Sequence, residues 1–143
     1  MILPDVNVLV YAFRKESAQH AAYAGWLGRV VAGDDELALN DQVLGGFLRI
    51  VTNRRIYPDP APASIALAFV DALRAARRAR WLAAGNAAWD KFGSFAQADR
   101  QITGNLVPDA LLAATAVAHG CRLATADRGF ARYPGLRFFD PAP

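Results

Sequence analysis

The chain has one cysteine and two histidines among 143 residues. A lone Cys121 excludes an internal disulfide framework and any site built on paired thiolates, such as a structural zinc. It fits a reducing compartment, and a cytoplasmic location is the expectation. No stretch reaches the roughly 18 charge-free apolar residues that span a bilayer, so no membrane role is expected. The opening MILPDVNVLVYAF carries an acid at Asp5 and no basic leader, and so does not read as a signal peptide. Also missing are a lysine-containing phosphate loop, a glycine-rich dinucleotide turn and a Ser-His-Asp set. There is no internal repeat, low-complexity tract or domain linker.

What is present is a hydrophobic chain with a mildly basic balance. Hydrophobic residues make up 54% and charged residues 20%, which supports a real core and a single domain over residues 1–143. The formal net charge is +3, which favours an anionic partner such as RNA or DNA. The arginines cluster at Arg54–Arg55 and at Arg74, Arg77, Arg78 and Arg80, whereas the polar residues best placed for chemistry are acids. An acidic pocket in a basic chain makes sense if cations occupy the pocket and arginines flank it.

Hydrophobic periodicity predicts strands alternating with helices. Met1–Leu3 reads as a short buried strand whose pairing ends near Pro4. Ser17–Val31 has a helical period, and Leu37–Leu39 is a second strand. Asn40 or Asp41 caps a helix with Val43, Leu44, Phe47, Leu48 and Val51 on one face. After a loop containing Pro58, Pro60 and Pro62, Ser64 is the expected cap of a helix running to Arg80. A third strand is expected at Trp81–Ala83, with partial helix over residues 87–100. Pro108 suits the first turn of another helix, with His119 in its last turn and Gly120 just beyond. Cys121–Thr125 and Leu136–Phe139 complete the strands. The alternation implies a parallel sheet covered on both faces, whose ligands collect outside the carboxyl ends of the strands.

Asp5, Asp109 and Asp127 all fall at places that such a fold turns toward that end. Each has an ordinary explanation as well. Asp5 with Asn7, and Asp127 with Arg128 and Gly129, suit turns. Asp109 suits the positive end of a helix dipole, worth roughly 0.3–1 kcal/mol. Thr125 is placed to hold Asp127 or to touch a phosphate. The three acids together are more specific than any one. Carboxylates about 5 Å apart repel by roughly 3 kcal/mol at an effective dielectric of 20, so a cluster calls for a cation or a raised pKa. Oxygen-only donors select Mg²⁺, or Mn²⁺, over zinc. His20, His119, the Arg74–Arg80 cluster and Trp26, Trp81 and Trp89 are read first as surface or core residues.

The segments ILPDVNVLVYAF, VLGGFLRIVTNRR, LVPDALLAATAVAHGCRLATADRGFAR and GLRFFDP, in this order, resemble the PIN-domain proteins of the VapC toxin group. The resemblance covers nearly the whole chain. It implies a three-layer α/β/α PIN-like fold with a central, mostly parallel sheet. It also implies metal-dependent endoribonuclease activity as the toxin of a toxin–antitoxin module, a VapB-like antitoxin as partner, and a homodimer. Asp5, Asp109 and Asp127 match the first, third and fourth family acids, as catalytic and Mg²⁺-holding residues. Asn7 and Thr125 match the polar positions beside them. The second acid, a Glu in the helix before F-L-R, is replaced by Gly46 (or Gly45), with Asp41 one turn earlier. That gap motivates a second reading, a PIN fold that binds RNA or a partner without cutting. A small phosphatase on a similar sheet is a third reading. It is weakened because Asn7, not a second Asp, follows two residues after Asp5.

Overall fold

Five three-residue strands form one parallel sheet in the order β3-β2-β1-β4-β5. They are β1 (Ile2–Pro4), β2 (Leu37–Leu39), β3 (Ala79–Trp81), β4 (Arg122–Ala124) and β5 (Arg137–Phe139) in a computed structural model that describes Met1 to Pro143. The register pairs Pro4 with Ala124, Leu39 with Trp81 and Ala124 with Phe139. The chain builds outward from β1 to β2 and β3 on one side, then returns to place β4 and β5 on the other. The order therefore reverses between β1 and β4, and in parallel sheets the crevice opens at such a point, beyond the carboxyl ends of the strands.

Helices α1 (Val6–Phe13), α2 (His20–Ala32), α3 (Asp41–Val51), α4 (Ala63–Arg74), α5 (Gly85–Ala98) and α6 (Leu106–Ala118) cover the sheet in a three-layer α/β/α arrangement. A short 3₁₀ turn spans Arg128–Arg132. β1 and β2 are buried along their whole length, as central strands of a sheet covered on both faces must be. Phe47 on α3 has no exposed surface and lies edge-on to Phe13, with ring centroids 5.3 Å apart, and 5.1 Å from Phe69. This aromatic cluster locks α1, α3 and α4 together.

The structure departs from the sequence reading in several places. Val6–Phe13 is a helix that the hydrophobic run concealed: Val8, Leu9, Val10 and Ala12 are all buried, so no polar stripe marks the period. The second helix begins at His20 rather than Ser17. α4 is capped by Pro62 without any side-chain bond, so Ser64 lies inside the helix, not at its cap. α4 also stops at Arg74, because the backbone must turn to bring Ala79 opposite Leu37 on β2. Arg80 thus belongs to β3, which sits two residues earlier than the expected Trp81–Ala83. α5 runs unbroken from Gly85 to Ala98. α6 begins at Leu106, with Pro108 in its first turn, where the missing N–H costs nothing. Gly120, at φ 67°, makes the left-handed turn that ends it.

Phe47→Ala is expected to destabilise the protein by roughly 3–5 kcal/mol through lost transfer energy and the cavity left behind. Urea unfolding of the purified chain measures it; a loss under about 1 kcal/mol would mean that the cluster does not hold α1, α3 and α4 together.

Candidate active site

β1 ends at Pro4, and the next residue, Asp5, leaves the sheet as the N-cap of α1. Its backbone N–H still donates to the Ala124 carbonyl at 2.8 Å, so the acid is fixed against the end of β4. Only 7% of Asp5 is exposed. Such a carboxylate survives only with donors around it. The Val6 backbone N–H donates to Oδ1 at 2.7 Å. The Asn7 amide and the Thr125 hydroxyl donate to Oδ2 at 2.8 and 2.7 Å. Burial still holds the Asp5 carboxyl above its usual range. The Thr125 and Val6 bonds pull it back, the charge of Asp127 pushes it up, and the Asn7 bond opposes that.

Asn7 and Thr125 continue the network. The Ala126 N–H donates to the Asn7 amide oxygen at 3.3 Å, and the Asp127 N–H donates to the Thr125 hydroxyl at 3.0 Å. Asp127 caps the 3₁₀ turn by accepting from the Gly129 N–H at 2.7 Å. This Asx turn leaves its carboxylate exposed at the mouth of the crevice. Asp109 enters from α6. No donor within the chain holds its half-buried carboxylate, and burial, followed by the charges of Asp5 and Asp127, pushes its pKa to about 6.

The structure thus brings Asp5, Asp109 and Asp127 to one crevice, together with Asn7. They line it without closing into a cage: no three His, Cys, Asp or Glu side chains converge as metal ligands. The donor set fits a hard divalent cation, being all carboxylate oxygen, partly desolvated and electrostatically unsatisfied.

Behind the crevice, Tyr133 is buried and its hydroxyl has no partner within the chain. Burial, then the Asp109 charge, raises its pKa.

Other candidates lie elsewhere. His20 Nδ1 lies 3.1 Å from the Tyr11 carbonyl and His119 Nε2 lies 2.8 Å from the Ala83 carbonyl, so both rings bond main chain. The arginine cluster does not flank the acids. Arg77 approaches Asp34 at 3.5 Å, and Arg80 approaches Glu36 at 3.1 Å. Both acids precede β2, which puts the cluster at the amino ends of the strands, opposite the crevice. Trp26 is a core residue, while Trp81 and Trp89 are half-exposed.

The place of the absent second acid is also defined. A Cβ built on Gly46 would lie 2.9 Å from Val6 Cγ2, while one on Gly45 would meet nothing within 4 Å. Above them a groove of about 600 Å³ is lined by Asp5, Asp109, Asp41, Gln42, Arg49 and Asn105, among others. Asp41 therefore shares the groove without joining the tight network around Asp5. The sequence reading missed Gln42, Arg49 and Asn105. Arg49 was within reach of it, since it sits one helical turn beyond Gly46.

A PIN domain family model matches residues 2–136, and the chain belongs to the PIN-domain family. Its relatives include VapC ribonucleases. Ribonuclease VapC43 of Mycobacterium tuberculosis is 45% identical over 141 residues, which is 99% of this chain and 95% of that protein. Ribonuclease VapC25 of the same organism is 36% identical over 99% of both chains. Among solved structures, VapBC2 from Rickettsia felis bound to a DNA fragment from its promoter aligns with a TM-score of 0.73. It covers 98% of both chains at 22% identity. The M. tuberculosis VapC20 toxin, described as cleaving the sarcin-ricin loop, aligns at 0.65 with 16% identity, over 96% of this chain and 99% of that one. At such identities these structures speak to the fold.

Two outcomes follow from this geometry. Asp109 holds its proton more tightly folded than unfolded, so the folded state binds the extra proton between the usual value of 3.8 and about 6. Stability of the metal-free protein must then fall as pH rises through that window. The melting temperature of the wild type, measured relative to Asp109→Asn in chelator, should drop from about pH 4 to about pH 6. A flat difference would mean that the crevice does not strain Asp109. In α3, Gly45→Ala should stabilise by roughly 0.5–1 kcal/mol through helix propensity. Gly46→Ala should destabilise by about 1 kcal/mol, because the stiff Val6 must move. Equal shifts in the two melting curves would contradict the close approach of Val6.

Proposed function

We propose that this protein is a metal-dependent endoribonuclease, the toxin of a VapBC-type module, with Asp5, Asp109 and Asp127 as its metal-holding and catalytic residues. The observation that carries the reading is the convergence of these acids, from three separate segments, on the crevice where the strand order reverses. The ribonuclease names of relatives matching nearly the full length support the activity, and they disfavour the reading of a fold that binds RNA without cutting. A hard divalent cation, Mg²⁺ or Mn²⁺, would supply positive charge against the scissile phosphate and acidify a water for attack.

The chain's own residues account for the rest of the chemistry. Asp5 is locked in place by Val6, Asn7 and Thr125, so an oxygen donor stands at the crevice floor with no reorganisation needed. Asp127, held only by its own turn, can adjust at the mouth. Asp109 lacks hydrogen-bond donors, and its charged form therefore gains most from an approaching cation. Thr125 acts as a positioning residue, bridging Asp5 and the Asp127 backbone. No histidine lines the crevice, which fits in-line attack by water without an imidazole base, leaving a 5′-phosphate and a 3′-hydroxyl. The partners that follow are an RNA substrate, a VapB-like antitoxin and a second copy of the chain. An antitoxin arginine would suit the crevice, because a guanidinium pairs bidentately with carboxylates. No helix of the chain is long and apolar enough to cross a membrane.

Asp5→Asn and Asp109→Asn should each cut the RNA cleavage rate by at least about 100-fold, the scale of losing one charge-stabilising group. Gel assays on labelled RNA with Mg²⁺, and growth arrest on expression in a bacterial host, measure it. Wild-type rates in either folded variant at matched metal would remove these assignments. A phosphomonoester turned over faster than RNA would favour the phosphatase reading.

A further inference from the structure

One wall of the groove is not used by the chemistry above. From Asp5 and Asp109 the groove crosses α3 over Gly45 and Gly46 and reaches Arg49. Gly45 leaves this stretch of the helix bare, with nothing within 4 Å of where its Cβ would stand, while Val6 packs over Gly46 beside it. Arg49 follows the two glycines by three and four positions, on the same helix face. It is the one basic side chain among the groove's lining residues, and it takes part in no ion pair within the chain. The groove's width is pinned, because Gln42 Nε2 donates to the Pro108 carbonyl at 2.7 Å and so ties α3 to α6.

These facts bear on an electrostatic problem. Three carboxylates repel a polyanion, and the Arg77–Arg80 cluster is at the wrong end of the sheet to offset that. A free guanidinium lining the same groove as Asp5 and Asp109 is where a phosphate can settle. The bare helix surface between them lets a nucleic-acid backbone approach closely, as glycines do at other phosphate sites.

We propose, resting on the ribonuclease reading, that the groove floored by Gly45 and Gly46 seats the RNA strand beside the cleavage point, with Arg49 gripping the phosphate next to the one cut. The guanidinium fork engages two phosphate oxygens at once. The place of the absent second acid then serves as a substrate subsite.

The test uses a fluorescein-labelled single-stranded RNA oligonucleotide and the full chain carrying Asp109→Asn, in chelator so that the RNA survives. Binding is followed by anisotropy across a salt series. Adding Arg49→Gln should weaken binding about 5–10-fold at low salt. It should also lower the slope of log affinity against log salt by roughly 0.7, the value for one phosphate contact on a single strand. Arg49→Lys should keep the slope, and Arg77→Gln should change neither quantity. Gly45→Leu, at a position with open space around it, should weaken binding by covering the floor. An unchanged slope in Arg49→Gln, or an equal drop in Arg77→Gln, overturns the proposal. Wild type is run on the same RNA with Mg²⁺. Cleavage there with an unchanged Arg49→Gln slope removes the subsite alone, whereas Arg49-dependent binding without any cleavage removes the nuclease reading and leaves the groove.

Discussion

Burying the Asp5 carboxylate is the constraint from which the rest of the crevice follows. An ionised acid withdrawn from water costs several kcal/mol unless donors replace its hydration. Here the donors come from the start of α1 and from the segment after β4. The bonds that satisfy the acid therefore also tie β1, α1 and β4 together at the carboxyl end of the sheet. Val6 has a double part: its N–H bonds Asp5 Oδ1, while its side chain packs 2.9 Å from where a Gly46 Cβ would stand. A larger residue at position 46 would press on the group that holds Asp5.

The remaining acids are left in tension. Asp127 has a turn to hold it, but Asp109 has burial and two like charges against it. A fold selected for stability alone would place a neutral residue there. Left unrelieved, this tension would favour a bound cation, because a divalent ion converts the repulsion into attraction. The arginines show the same division. Those near β2 and β3 are paired with Asp34 and Glu36 far from the crevice, so only Arg49 carries free positive charge along the groove.

Much of this was legible in the sequence, for physical reasons. Asp5, Asp109 and Asp127 were identifiable because each follows or begins a clear element, and strand–helix alternation fixes where those ends point. The strands β2, β4 and β5 were read within a residue or two, since buried parallel strands are short apolar runs. Helix α1 was not legible. Its sequence, VNVLVYAF, is buried on most sides, and a continuous apolar run does not distinguish helix from strand. The boundary between α4 and β3 failed for a different reason. Arg74–Arg80 carries no turn residue, and the helix ends only because β3 must pair with β2. That tertiary demand also carried the arginine cluster away from the acids. Gly46 was noticed as a missing carboxylate, but its contact with Val6 is a distance in space that no local pattern encodes.

The central claim is that the three aspartates, standing apart in the bare protein, are a site for a hard cation. A crystal of the full chain soaked in Mn²⁺ and measured at the manganese edge tests it most directly. The account predicts an anomalous peak bounded by Asp5, Asp109 and Asp127, with oxygen ligands at about 2.2 Å. A crevice without such a peak at millimolar Mn²⁺, or a peak ligated by other side chains, would contradict it.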